Sequence, residues 1–385
     1  MLPAALALAL ATPPTARRAA PAGPRLRILG PAQMVFNWST QACTPTEEPD
    51  LPVRAFRDYR GEIQLLLSHY VNFRMIGASL STLQPECRPV LSSPERSSPR
   101  RFEDREWLAS LFTSDGRTIW ALVHEEYQGN IHRGRCPSGS YYRCWYNSIT
   151  LARSSDGGRT YVHMKSPRQL VAAPSRPYRQ APGPVGVFTP SNIVTGPDGA
   201  DYALVRIRDP NGTRGACLLR TRRVGSPTAW RAWTGSGFGG EFTNPYRSPP
   251  SGAVDCTPIA PGDIAEMTES LTYNYALGRY LLVGLAPPGP LSVGAKVTGI
   301  YFSTSPDLVH WSPRTLVKAA VAAQTYTCGG PSPIAYPSVL DPRSTSRTYA
   351  TSGGTAFLYF TQFRYSRCRQ VADRDLLRVP IEISP

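Results

Sequence analysis

Along the chain, apolar runs of six to eight residues alternate with turns rich in Gly, Asp and Pro, and no stretch sustains a helical period. One arrangement recurs, a Gly-containing turn followed by an apolar run. It occurs at Arg60-Gly61 before residues 62–69, Asp115-Gly116 before 117–124, Asp198-Gly199 before 201–206, Gly278 before 279–284, and Gly353-Gly354 before 356–361. Runs rich in Val, Leu, Tyr and Phe beside such turns read as β-hairpins. A second hairpin follows in several copies, at 148–152 with 154–161, at 299–303 with 305–311, and more weakly from 216–220 towards Trp230. Two hairpins per copy make a four-stranded antiparallel sheet, and five copies in series predict an all-β, five-bladed β-propeller. The Pro-rich stretches 174–190 and 245–261 become loops between blades, and residues 35–38 a strand closing the ring against the last blade. A pair of β-sandwiches is the competing arrangement, but it leaves the ordered recurrence of the turns unexplained. The 39 prolines leave few windows for a long helix.

Of 385 residues, 41% are hydrophobic, enough for a real core, so a single domain is expected over residues 28–385. Residues 1–27 read as a leader. An Ala/Leu-rich segment at 2–11 is followed by a Pro/Arg/Ala-rich stretch, as in a secretory signal, although a basic n-region is missing. No uncharged apolar run approaches the roughly 18 residues of a membrane-spanning helix. The net charge of +15 suggests nucleic acid at first sight, but only Lys165, Lys296 and Lys318 among the 42 basic residues are lysines. The arginines are scattered and no reading motif accompanies them, so no nucleic-acid partner is expected. The eight cysteines lack CxxC spacing, which argues against zinc ribbons and redox sites and for disulfides in an oxidising, secreted or periplasmic setting. Cys136 and Cys144 can close a small loop; the other pairings stay open. No metal or cofactor is expected, and a monomer is favoured.

Several short motifs carry a resemblance. Residues 155–161, Ser-Asp-Gly-Gly-Arg-Thr-Tyr, are similar to the Asp-box turn of sialidases. There an Asp carboxylate accepts bonds from its own turn and an aromatic ring packs between sheets, so the motif is structural. Residues 305–311 resemble the S-x-D-L-x-x-W blade turn of five-bladed glycoside hydrolases, families 43, 32 and 62 among them. Phe56-Arg57-Asp58 is similar to the F-R-D motif of family 32, and residues 335–342 look like a blade-opening strand of that group. The resemblance runs from about residue 50 to the end and implies a propeller that hydrolyses glycosidic bonds. It has departures. Trp107-Leu108-Ala109-Ser110 stands where family 43 has W-A-P-D, the third copy opens at 188–193 without the acid that family 43 places there, and no sialidase-type arginine triad can be assigned.

Glycosidic hydrolysis takes two carboxyl groups, one protonated to assist the leaving oxygen and one ionised to activate water or attack the anomeric carbon. Acids near the starts of the copies are Asp58, then Asp104 and Glu106, then Glu266 and Glu269, with Glu125 and Glu126 at the end of the second apolar run. The expected roles are Asp58 as base or nucleophile, Glu126 as general acid, Asp104 as positioning acid, and Glu269 as alternative acid. Arg54 and Arg57 would keep Asp58 ionised; the plainer reading of Arg57 and Asp58 is a surface ion pair. Glu106, His69, Asn72, His124 and Asn192 are candidate hydrogen-bonding partners for a sugar, and Trp145 a stacking platform. The chain has neither a G-x-S-x-G elbow nor an H-E-x-x-H helix. The expected substrate is a poly- or oligosaccharide; the alternatives are a non-enzymatic glycan-binding propeller and a sialidase-like exoglycosidase.

Overall fold

Each apolar run falls on a β-strand of the computed structural model, which describes residues 23–247, 255–289, 293–294 and 296–385. The first group of strands is Arg54–Arg57, Ile63–Leu67, Val71–Gly77 and Gln84–Ser92, a four-stranded antiparallel sheet. The second centres on Arg105–Phe112, Ile119–Gln128 and Trp145–Ser154, and the third on Asp201–Arg208, Arg214–Thr221 and Arg231–Trp233. The fourth is Ser270–Asn274, Arg279–Ala286, Gly299–Ser305 and Thr315–Ala319, and the fifth Ile334–Leu340, Thr355–Ser366 and Arg369–Ser384. No helix among the described residues exceeds four residues, and none is long and apolar enough to cross a membrane.

The hydrogen bonding does not divide these strands into five separate four-stranded sheets. It gives sheets of five, eleven, five and four strands, because Val185–Phe188 pairs in parallel with Trp145–Ser154 on one side and antiparallel with Asp201–Arg208 on the other. Gly186 makes that bridge possible: a Cβ there would lie 2.5 Å from Asn147 backbone. The groups nevertheless pack face to face in cyclic order. Phe56, Leu66, Leu108 and Ala121 join the first to the second, and Leu122, Leu151, Val205 and Leu219 the second to the third. Leu204, Leu218, Leu271 and Leu282 join the third to the fourth, Leu281, Val283, Leu358 and Phe360 the fourth to the fifth, and Leu340, Tyr359, Leu65 and Leu67 the fifth to the first. Adjacent residues such as Leu281 and Leu282 serve opposite neighbours, so a middle strand is buried on both faces. That is why it reads as an unbroken apolar run.

A second cycle runs through the strands nearest the centre. Ser338 Oγ donates to Val53 O at 2.8 Å, and Ser68 Oγ to Leu108 O at 2.6 Å. Ser110 Oγ donates to Pro190 O at 3.2 Å, Leu271 N to Asn192 Oδ1 at 3.2 Å, and Val339 N to Ser270 Oγ at 2.9 Å. Arg54 sits inside this cycle, only 2% exposed, and donates to Ala109 O (2.9 Å), Pro190 O (3.2 Å), Glu269 O (2.5 Å) and Ser338 Oγ (3.4 Å). One guanidinium thus ties the first group to the other four, a structural use of its fixed fork of donors. Its expected role beside Asp58 is replaced by this one.

The first and last strands of the described residues meet in the fifth group, where Arg25–Ile28 and Gln33–Phe36 pair antiparallel with Arg369–Ser384. The expected closing strand at residues 35–38 is thereby found two residues earlier, with Trp38 already in a short helix. Residues 25–27, counted with the leader, belong to the sheet; residues 1–22 lie outside the described part. Disulfides join Cys43–Cys87, Cys136–Cys144, Cys217–Cys256 and Cys328–Cys368, in keeping with an oxidising compartment.

The Asp-box turn is held as its sequence implies. Asp156 Oδ1 accepts from Arg159 N and Thr160 N, both at 3.0 Å, and Oδ2 from Thr160 Oγ1 at 2.6 Å. Asp307 repeats the design with Val309 N at 3.0 Å and His310 N at 2.8 Å, while Trp311 Nε1 donates to Leu308 O. Asp156→Ala should therefore cost about 1–3 kcal/mol, from several lost charge-assisted bonds. Urea unfolding checks this, and an unchanged midpoint would remove the turn from the list of stabilising features.

Candidate active site

A cavity of about 400 Å³ opens where the central strands begin, and all five groups line it. Asp50 and Leu51 come from the lead into the first group, and Trp107, His124, Glu126 and Trp145 from the second. Arg206 and Thr189 come from the third region, Glu266, Thr268 and Glu269 from the approach to the fourth, and Tyr336, Phe363 and Arg374 from the fifth. Tyr141 and Tyr142 close one side from the loop stapled by Cys136–Cys144.

Three clusters in this wall hold ionisable side chains. Asp50 Oδ1 accepts from Tyr336 Oη at 3.0 Å and from the Arg374 guanidinium, whose Nε lies 3.1 Å from Glu48 Oε2. His69 is within reach of the same group, its Nε2 3.9 Å from Asp50 Oδ2, while its Nδ1 lies 3.1 Å from Thr46 O. Burial pulls the His69 pKa down, against the pull of Asp50.

Glu269 lines the cavity, partly exposed. Its oxygens accept from Thr268 N at 3.0 Å and Leu285 N at 3.2 Å. Burial raises its pKa, and those two amides together with Arg206 only partly offset the shift. A carboxyl that favours its proton is suited to donate one.

Glu126 is met by three donors: Gln128 Nε2 at 2.6 Å, Tyr141 Oη at 3.3 Å and His124 Nε2 at 3.0 Å. The His124 tautomer follows from the opposite nitrogen. Thr189 N donates to Nδ1 at 3.0 Å, which leaves Nε2 to carry the hydrogen towards Glu126. Tyr141 stacks on Trp145, ring centres 5.0 Å apart, and Trp145 meets Phe188 edge-on at 5.7 Å. The result is an apolar platform beside hydrogen-bonding groups, as carbohydrate recognition requires.

Of the residues expected from sequence, Glu126, Glu269, His124 and Trp145 line the cavity, and His69 stands just behind Asp50. The others lie elsewhere. Asp58 is fully buried at the far end of its strand, accepting from Arg60 N (2.8 Å), Glu62 N (3.0 Å) and Gln64 Nε2 (3.3 Å). Gly116 abuts it, with no room for a Cβ, and accepts from Tyr59 N, so Asp58 organises a turn between groups. Arg57 donates to Ser346 O at 3.0 Å and covers the Tyr349 ring instead of pairing with Asp58.

Strand alternation separates Glu126 from the other acids of the second group. Glu125 points the other way, with Asp104 and Glu106, into a buried cluster. There Ser148 Oγ donates to Glu125 at 2.5 Å, His132 Nε2 lies 2.9 Å from Asp104, and His163 Nδ1 2.8 Å from Glu106. Burial raises the pKa of all three acids. Asn72 bridges strands, donating to Glu106 O at 2.8 Å and accepting from Leu108 N, while Asn192 accepts from Leu271 N. Neither residue lines the cavity.

Sequence reasoning missed Asp50, Arg374, Arg206, Tyr141 and Tyr336. The available signal for Asp50 was its place in Pro49-Asp50-Leu51-Pro52, just before the strand; Asp58, just after it, lies at the wrong end. Among the described residues, no group of three His, Cys, Asp or Glu side chains is placed to hold a metal ion.

The stapled loop yields a binding prediction. Replacing Cys136 and Cys144 together by Ala frees the segment bearing Tyr141 and Tyr142, whose ordering must then be supplied by the ligand. Affinity for that ligand should fall about tenfold, roughly 1.4 kcal/mol of binding. An unaltered affinity would take these tyrosines off the binding surface.

No protein-family model matches the chain, and no curated protein sequence does. Among solved structures it is similar to a protein of Bacteroides ovatus provisionally described as a glycoside hydrolase, at 10% identity, 92% coverage of this chain, 96% of that one, and TM-score 0.49. The xyloglucan-locus GH43B protein of Bacteroides ovatus gives 12% identity, 92% and 54% coverage, and TM-score 0.48. A GH43_1 enzyme of Xanthomonas citri gives 13% identity, 89% and 91% coverage, and TM-score 0.45. The chain is thus similar in overall course to glycoside hydrolases of family 43, a likeness of shape on which no residue role below depends.

Proposed function

We propose that the protein is a secreted, five-bladed β-propeller glycoside hydrolase that cleaves an oligo- or polysaccharide with two carboxyl groups in its central cavity. The five strand groups, packed in a cycle and tied by Arg54, support the blade count. One observation carries the activity: Glu269, biased by burial towards its protonated form, and Asp50, engaged by Arg374 and Tyr336, line the same cavity. Glu269 donates its proton to the glycosidic oxygen as the bond to the anomeric carbon breaks. Asp50 either takes a proton from the attacking water or attacks that carbon itself. Glu126, held by His124, Gln128 and Tyr141, orients the sugar, and Trp145 receives its apolar face.

Aryl glycosides and polysaccharides assayed for released aglycone and reducing ends test this reading. Turnover with at least one sugar class is expected, and the anomeric configuration of the first product distinguishes water activation from covalent attack. Sugar binding without turnover across the panel would make the protein a glycan-binding propeller.

A further inference from the structure

The cavity holds one charged side chain that no described residue engages by a hydrogen bond or an ion pair. Arg374 is taken by Glu48 and Asp50. Glu266 is taken by Arg208, at 2.9 Å, and by Arg214. Glu126 has three donors and Glu269 two backbone amides. Arg206 also lines the cavity, yet among the described residues it makes no hydrogen bond and no ion pair, and its Nε is buried without a partner. Its guanidinium carbon lies 5.0 Å from the centre of the Phe188 ring, and Glu266 and Glu269 act on its charge only through space, without a hydrogen bond. Phe188 in turn abuts Trp145, so the guanidinium flanks the aromatic platform.

A guanidinium has five donors, and here the Nε–H is buried without an acceptor, which is rare because a buried donor has lost its water. A planar fork stacked on an aromatic ring and otherwise free is the arrangement that takes a carboxylate or sulfate two-handed. Neutral hydroxyls could accept single bonds there but would leave the charge unmatched.

We propose that the sugar bound in this cavity is anionic, its carboxylate or sulfate group held by Arg206. The proposal rests on the hydrolase reading for the location of the sugar, but not for its affinity. Burial and the like charge of Arg208 pull the Arg206 pKa below the ordinary arginine value against the opposing pull of Glu266 and Glu269, and a bound anion would push it back further.

Calorimetric binding to the full chain tests it, with glucuronate and galacturonate, the 6-sulfates of glucose and galactose, and the parent neutral sugars as probes. At least one anionic probe should bind tenfold or more tightly than its parent, with a gap that narrows as salt rises. Arg206→Met should close the gap while leaving neutral-sugar binding within about twofold, which also reports that the variant is folded. Arg206→Lys should keep the attraction but lose part of the gap. The uronates and the sulfates tell the two anions apart. Equal binding of anionic and neutral probes, no binding of any anionic probe, or a preference that survives Arg206→Met would overturn the proposal. Because binding is read without turnover, anionic sugars that bind while none of their glycosides is cleaved would leave this proposal standing and remove the hydrolase reading. Cleavage of neutral glycosides together with indifference to charge would do the reverse.

Discussion

Glu269→Gln and Asp50→Asn are each expected to lower kcat by about a thousandfold or more while leaving sugar affinity within a few fold, a barrier increase of roughly 4 kcal/mol. Both changes preserve shape and remove the proton chemistry. They should differ with the leaving group. A dinitrophenolate departs without a proton, so Glu269→Gln should regain much of its rate on dinitrophenyl glycosides, whereas Asp50→Asn should stay slow on every substrate. The pH profile separates them again. Burial holds the Glu269 pKa above the ordinary carboxylate range, so kcat/KM should fall as pH rises through that raised value, and Glu269→Gln should lose this alkaline limb. A Glu269→Gln enzyme equally slow on good and poor leaving groups, with the limb intact, would assign the acid elsewhere; Glu126 is then the next candidate.

Arg374→Met should be the most destabilising single change near the cavity. Glu48 is buried at 5% exposure, and Arg374 is the cation between it and Asp50. Removing one partner of a buried ionic group leaves charge uncompensated, at a cost of about 3–5 kcal/mol. The loss should depend on pH. In the folded protein burial raises the Glu48 pKa to about 7; Arg374 opposes this and Asp50 adds to it. Between the ordinary value of 4.5 and about 7, the folded protein holds a proton that the unfolded chain has released, so this group's contribution to stability falls as pH rises through that window and levels off above it. The wild-type fall is on the order of 3 kcal/mol. Without the guanidinium the Glu48 pKa moves higher still, so the decline in Arg374→Met should reach further into the alkaline range. Urea unfolding of both proteins at pH 5 and pH 8 measures this: the variant's deficit should be small at pH 5 and large at pH 8. A deficit equal at both would mean that Arg374 acts through packing alone.

The acids that line the cavity show what kind of information each level holds. Glu269 was found because it precedes an apolar run, and Glu126 because two acids and a histidine at a strand end are conspicuous. Which of Glu125 and Glu126 faces the cavity was a matter of parity, fixed only when Arg105 paired with Glu126 and Glu106 with Glu125. Asp58 misled because an acid beside two arginines looks reactive, whereas its neighbours in space are turn amides and Gly116 from the next strand group. Arg374 gave no signal at all. It is 324 residues from Asp50 and reaches it only because the last strands come back beside the first group.

By itself the sequence determined the local elements of this protein: the strands, the Gly turns between them, the Asp-box geometry and, among the described residues, the absence of long helices. Those follow from hydrogen bonds and side-chain patterns spanning a few residues. The tertiary structure decided which strands share a sheet, that Arg54 and Asp58 are structural, and that Asp50, Glu126, Glu269, Arg206 and Arg374 share one cavity. Such choices depend on packing between strand groups tens to hundreds of residues apart, where burial sets the charge of a group as much as its chemical identity does.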